Sequence, residues 1–150
     1  QMLLEILTRK FDLGGFTFKV RVPLVAEADA IYQRINEPAK ELIEAAYQKL
    51  VGPLEKYKGD EDATNAGFTF LEDDVLVNGK SMREAAKNKV MTEQRIVEYI
   101  KLLVPENPDN SLADITYEDV EAEWPLNVQL TLCEKIGEVI SPTYKETRGN

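Results

Sequence analysis

Residues 7–23 read LTRKFDLGGFTFKVRVP, and this stretch decides how the chain begins to fold. Gly14 and Gly15 stand where a two-residue hairpin loop needs positive φ, a conformation open to glycine. Centring the turn on them sets a register that the flanking residues can test. It pairs Leu13 with Phe16, Phe11 with Phe18, Arg9 with Val20 and Leu7 with Val22. All of these but Arg9 are apolar, so that face should pack on the rest of the domain. The opposite face pairs Asp12 with Thr17, Lys10 with Lys19 and Thr8 with Arg21. It is polar and mostly cationic. Like charges set opposite each other are destabilising, so Lys10, Lys19 and Arg21 are candidates for meeting an acidic partner, against the plainer reading of a solvated face. Pro23 ends the second strand, which gives a hairpin over about residues 3–23.

Beyond Pro23 the apolar spacing lengthens to that of helices. Ala28, Ile31, Tyr32 and Ile35 predict a short helix over 27–35. Asn36 is placed to cap a second one, with Pro38 in its first turn and Leu42, Ile43, Ala46, Tyr47 and Leu50 as its stripe until Gly52-Pro53 interrupts. A further turn or two is expected from Pro53 to Tyr57. KGDEDATNAG, residues 58–67, reads as a flexible loop, and Phe68 to Val77 as a second strand pair around Asp73 and Asp74. Ser81 and Glu84 make a capping box that opens a long helix to about Val104. Its buried side is Met82, Ala85, Ala86, Val90, Ile96, Val97, Ile100 and Leu103.

ENPDNS then links to Thr116, which caps the last helix; Glu118, Asp119, Glu121 and Glu123 supply the sign its dipole favours there. Pro125 should kink or split that helix. After it, Leu126, Val128, Leu130, Leu132, Cys133, Ile136, Val139 and Ile140 cover more than one stripe, as in a helix central in the fold or shared with a neighbouring chain. Leu126 and Leu130 are therefore candidate interface residues. Trp124 is either an interface anchor or ordinary core. The fold class is mainly α with an N-terminal β-hairpin (α+β): a small helical domain of about four to six helices over 1–140, then a mobile polar tail, 141–150.

The composition narrows the chemistry. The 150 residues include no histidine and one cysteine, which removes the usual general base, the imidazole partner of Ser or Cys nucleophiles and the commonest zinc ligand. Cys133 lies among leucines and reads as a small core hydrophobe. Asn78-Gly79-Lys80-Ser81 has the ending of a phosphate-binding loop, but Asp74 stands where that pattern needs glycine, so a turn leading into the Ser81 cap is the better reading. Asp60, Asp62 and Thr64 begin a calcium loop that fails at Asn65 and Leu71, where glycine and glutamate are required. No catalytic residue, cofactor or metal is nominated, and the expectation is a protein that is not an enzyme.

The net charge of −9 disfavours nucleic acid as a partner, since phosphate neutralisation needs Lys and Arg. The acidity is uneven: residues 1–58 hold nine basic and eight acidic side chains, residues 59–150 nine and nineteen. No apolar run approaches the roughly 20 residues that span a bilayer, and no signal-peptide pattern is present, so no membrane and a cytoplasmic location are expected.

LTRKFDLGGFTFKVRVP followed at once by AEADAIYQRI, the small acidic helical body, WPLNVQLTL in the last helix and the polar end TYKETRGN together resemble a tail assembly chaperone of long-tailed (siphovirus-type) bacteriophages. The resemblance runs over most of the chain and transfers no functional residue. It implies a non-enzymatic protein of the host cytoplasm that forms a homo-oligomer and coats the tape measure protein. It would leave when the tail tube protein polymerises, so it is not expected in the mature virion. The cationic hairpin face and the acidic second part could meet head to tail and build an open spiral. The alternatives are a structural phage tail protein and an acidic DNA-mimic inhibitor.

Overall fold

In the computed structural model, which describes residues 7–141, the hairpin has the register its glycines dictate. Strands β1 (Thr8–Leu13) and β2 (Phe16–Arg21) pair antiparallel from Thr8 with Arg21 to Leu13 with Phe16. The Val22 N–H donates to the Leu7 carbonyl at 2.9 Å, carrying the ladder one pair further. Gly14 and Gly15 sit at φ 61° and 83°. Residues 3–6 of the expected hairpin and 142–150 of the expected tail lie outside the described residues.

The described residues belong to two compact units, 7–32 with 94–141, and 33–93. In the first, α6 (Leu126–Ile140) packs on both hairpin strands, and the Arg9 guanidinium donates to the Val139 carbonyl at 2.7 Å. The faces divide as the register requires. Val20 is fully buried and Phe11, Leu13, Phe18 and Val22 are half-buried, while Lys10, Asp12, Thr17 and Lys19 are exposed. Phe11 and Phe18 stack with centroids 5.3 Å apart. The apolar face is not covered to its tip, for Phe16 is 72% exposed.

Helix α1 (Val25–Asn36) begins two residues before its predicted start and buries Ile31 and Ile35 but not Tyr32. The long helix, α4 (Met82–Ile100), is shorter than expected. Residues 102–104 leave it to pair with the backbone groups that the outer edge of β2 offers. The Arg21 N–H donates to the Leu102 carbonyl at 2.9 Å, and the Val104 N–H donates to the Lys19 carbonyl at 2.8 Å. Leu103 thereby sits opposite Val20 in a bridge, not on the helix face assigned to it.

Thr116 caps α5 (Tyr117–Glu123) in a full capping box with Asp119, and Pro125 splits this helix from α6 as expected. Across the break, buried Gln129 accepts from the Tyr117 hydroxyl and donates to the Trp124 carbonyl, each at 2.8 Å. Ile96, Ile100, Leu102, Val120, Leu132 and Ile136 form the core around Val20.

In the second unit, α2 (Lys40–Val51) starts after Ala39, not at an Asn36 cap. Asn36 is the last residue of α1, and Pro38 biases Glu37 away from helical backbone, which opens a gap between the two helices. A 3₁₀ helix follows over Gly52–Tyr57. The expected loop 58–67 contains one turn of helix, α3 (Glu61–Asn65), because the Asp60 side chain accepts from the Asp62 N–H at 2.9 Å and Ala63 is buried.

Strands β3 (Phe68–Phe70) and β4 (Val75–Val77) pair as predicted, and β5 (Lys80–Ser81) adds a third strand in the order β3-β4-β5. The Asn78-Gly79 turn, with both φ positive, leads straight into the Ser81 cap of α4, and the Glu84 N–H donates to the Ser81 hydroxyl oxygen at 3.1 Å. Tyr47, Val51, Val75 and Ala86 are the heart of this unit's core.

Candidate functional site

The extra pairing on β2 borders a cleft in the first unit. Val104 is held to Lys19, and the ladder then stops at Pro105, so among the described residues no strand lies on the outer edge of β2 from there toward the turn. The cleft is about 740 Å³ and is walled by Phe16, Phe18, Leu103, Pro105, Leu112 and Trp124. Its charged residues are Lys10, Lys19 and Glu106.

Each wall has a local cause. Lys10 and Lys19 face one another because the Gly14-Gly15 turn puts them in register. Their ammonium groups share the exposed face of the hairpin, a source of repulsion that an incoming carboxylate would relieve. Thr17, beside them, donates its hydroxyl to Asp12 at 2.6 Å. Trp124 stands in the break between α5 and α6. Its N–H donates to the Val120 carbonyl at 3.0 Å and its own carbonyl accepts from Gln129. Trp124 is half-buried and lines the cleft.

The six residues nominated from the sequence fall into three groups. Lys10, Lys19 and Trp124 come together in the cleft. Arg21 does not join them, since its guanidinium makes a two-point pair with Glu27 at 2.6 and 2.8 Å. The hydrogen bond that Arg21 donates to Glu27 raises the Arg21 pKa above its ordinary value, against the lowering effect of burial. The cation is thus engaged within the fold. Leu126 and Leu130 are exposed by 55% and 45% on α6 and do not line the cleft.

Leu112, Pro105 and Phe16 were missed as site residues. The signal for Phe16 was available: it is the strand residue next to the Gly14-Gly15 turn, at the end of the hairpin farthest from the rest of the chain's connections. Leu112 and Pro105 sit in a linker whose place beside the hairpin depends on the pairing of residues 102–104.

Chemically this is a cleft that sets two ammonium groups beside apolar and aromatic walls. Cys133 lies in the core, where burial pushes its thiol up to about 11 despite the opposing charge of Arg95, so it is not a reactive group at neutral pH. Among the described residues no three Cys, Asp or Glu side chains converge as metal ligands, and Asp60, Asp62 and Thr64 lie at and within α3. Among them, too, no helix is long and apolar enough to cross a membrane. Compared with family models, curated proteins and solved structures, the chain matches none.

Proposed function

We propose that the chain is a non-enzymatic assembly chaperone of the long-tailed phage type, which holds a segment of the tape measure protein until the tail tube protein displaces it. The observation that carries this reading is the cleft itself, in which Lys10 and Lys19 stand over Phe16, Leu112 and Trp124. An extended or helical client segment with carboxylates beside aliphatic side chains satisfies both halves of that surface at once. The hairpin, acidic body and last-helix sequences that resemble such chaperones support the same conclusion.

A transient holder should bind in the micromolar range, with affinity that falls as salt screens the lysines. Because Trp124 is the only tryptophan, its emission reports on the cleft directly. Fragments of the tape measure protein titrated into the chain should shift that emission, and the Lys10→Glu/Lys19→Glu double variant should bind about tenfold more weakly, two surface ion pairs being worth about 1–2 kcal/mol. Equal affinity of the variant, or fragments that leave Trp124 unchanged, would refute the reading. Recovery of the chain in finished particles would refute its chaperone part and favour a structural tail protein. Displacement of DNA from a basic protein would favour the mimic.

A further inference from the structure

Among the described residues the hairpin has a second open edge. In an antiparallel pair, residues alternate between those bonded to the partner strand and those whose N–H and carbonyl point outward. The bond from Val22 to Leu7 places Leu7, Arg9, Phe11 and Leu13 in the bonded set. Thr8, Lys10 and Asp12 therefore direct their backbone groups away from β2. Among the described residues no strand lies on that side, since the sheet order is β1-β2 and residues 102–104 use the other edge.

We propose that this edge pairs with the same edge of a second copy of the chain, antiparallel and centred on Phe11, so that Lys10 of each copy faces Asp12 of the other. The charges select this register. A pairing shifted one step either way sets Lys10 against Lys10 or Asp12 against Asp12, and both repel. Centred on Phe11, the two outward-facing pairs exchange four backbone hydrogen bonds and are oppositely charged. The arrangement also relieves a conflict inside the single hairpin. Lys10 has Lys19 beside it on β2, and the second copy brings a carboxylate to its other side. Asp12 uses one oxygen to accept from Thr17 and has another for the incoming ammonium. On the opposite face, the stacked Phe11 and Phe18 rings would continue into the same two rings of the second copy. The two-fold pairing is isologous and closes on itself, unlike the open spiral of unlike patches. It deepens the self-association contained in the chaperone reading, and Asp12, outside the cleft lining, separates the two.

Charge exchange tests it. Lys10→Asp and Asp12→Lys each place like charges across the edge and should each sediment as monomers at concentrations where the parent dimerises. Mixed together, the two variants have opposite charges at both positions and should form a heterodimer. Asp12→Lys alone should abolish the dimer without weakening client binding at the cleft, whose lysines it keeps. Geometry supplies an independent check. Opposed Phe11 residues have Cα atoms about 4.5 Å apart in a non-bonded pair, within disulfide reach, whereas Leu13 lies opposite Arg9. Phe11→Cys should therefore cross-link under mild oxidation and Leu13→Cys should not, with buried Cys133 giving little background. A parent that stays monomeric at millimolar concentration and low salt, variants that fail to combine, or cross-linking through position 13 in place of position 11 would overturn the proposal.

Discussion

Asp74 joins sheet to helix in the second unit, and removing its carboxylate should be costly for a reason visible in its three donors. The Ser81 hydroxyl reaches it at 2.5 Å, the Val75 N–H at 2.7 Å and the Arg83 N–H at 3.1 Å. Arg83 is in the first turn of α4, where the N–H groups have no partner within the helix, so Asp74 supplements the Ser81 cap. Losing such a cap is worth about 1 kcal/mol. Val75 is buried, and leaving its N–H without an acceptor adds about another 1 kcal/mol. The Ser81 hydroxyl can rotate toward water and adds little. Asp74→Ala should thus lower stability by about 2 kcal/mol, or roughly 6 °C in Tm for a chain of this size. Asp74→Asn keeps an acceptor oxygen for the two amides and should lose less than half of that. Urea unfolding followed by far-UV circular dichroism at neutral pH reads both values.

The same site predicts a pH dependence. Burial by itself would push the Asp74 carboxyl up, but the hydrogen bonds from Ser81, Val75 and Arg83, with the charge of Arg83, outweigh it and hold the group below its ordinary 3.8. A carboxyl depressed in the folded state stabilises the fold above that ordinary value, and the contribution is lost as pH falls through the folded value. The parent should therefore lose urea resistance below about pH 4, and Asp74→Asn should show a shallower decline. An Asp74→Ala protein within 0.5 kcal/mol of the parent, taken as the usual scatter of neutral surface changes, or one with the parent's acid profile, would refute the reasoning.

Other positions give sharp expectations. Gly67 has φ +90°, and a Cβ there would lie 2.2 Å from the Asn78 side-chain oxygen; Gly67→Ala should cost about 1–3 kcal/mol from backbone strain even after Asn78 rotates away, and a parent-like melting curve would contradict it. Gln129 is 2% exposed and bridges Tyr117 to the Trp124 carbonyl; Gln129→Ala should cost about 2–3 kcal/mol and alter Trp124 emission, and an unchanged spectrum would show that the bridge does not position the indole. Cys133, its thiol pushed up to about 11 by burial, should resist a thiol reagent at pH 8 in the folded protein and react promptly in urea; rapid labelling without denaturant would mean that the core around it opens.

Much of this fold was legible because its cues are local. The Gly14-Gly15 turn determines six strand pairs from the residues beside it, and the Thr116 cap and Pro125 break act within a few residues of themselves. The last helix was partly legible. Gln129, Leu132, Cys133 and Ile136 follow a three-to-four spacing and are the buried residues of α6, so strict periodicity points to Gln129 as a core position and puts Leu126 and Leu130 at the margin. Counting apolar residues instead spread the surface too widely. The Asp60 cap was legible as well, since an aspartate followed by acidic residues is a helix start, but a stretch of small and charged residues around it suggested a loop.

The end of α4 was not legible, and the cleft depends on it. Lys101 to Val104 continue the helical pattern well enough, with Leu103 in phase with Ile96 and Ile100. What overrides the pattern is the demand of Lys19 and Arg21, about eighty residues earlier, for backbone partners on the outer edge of β2. Once residues 102–104 meet that demand, Pro105 follows immediately, and the ladder ends before reaching Thr17. The free end of the hairpin is left with Lys10 and Lys19 on one side, the linker bearing Leu112 on another, and Trp124 beside them. A long-range pairing that lasts only three residues, and then stops, is therefore what turns a cationic hairpin face into one wall of a cleft.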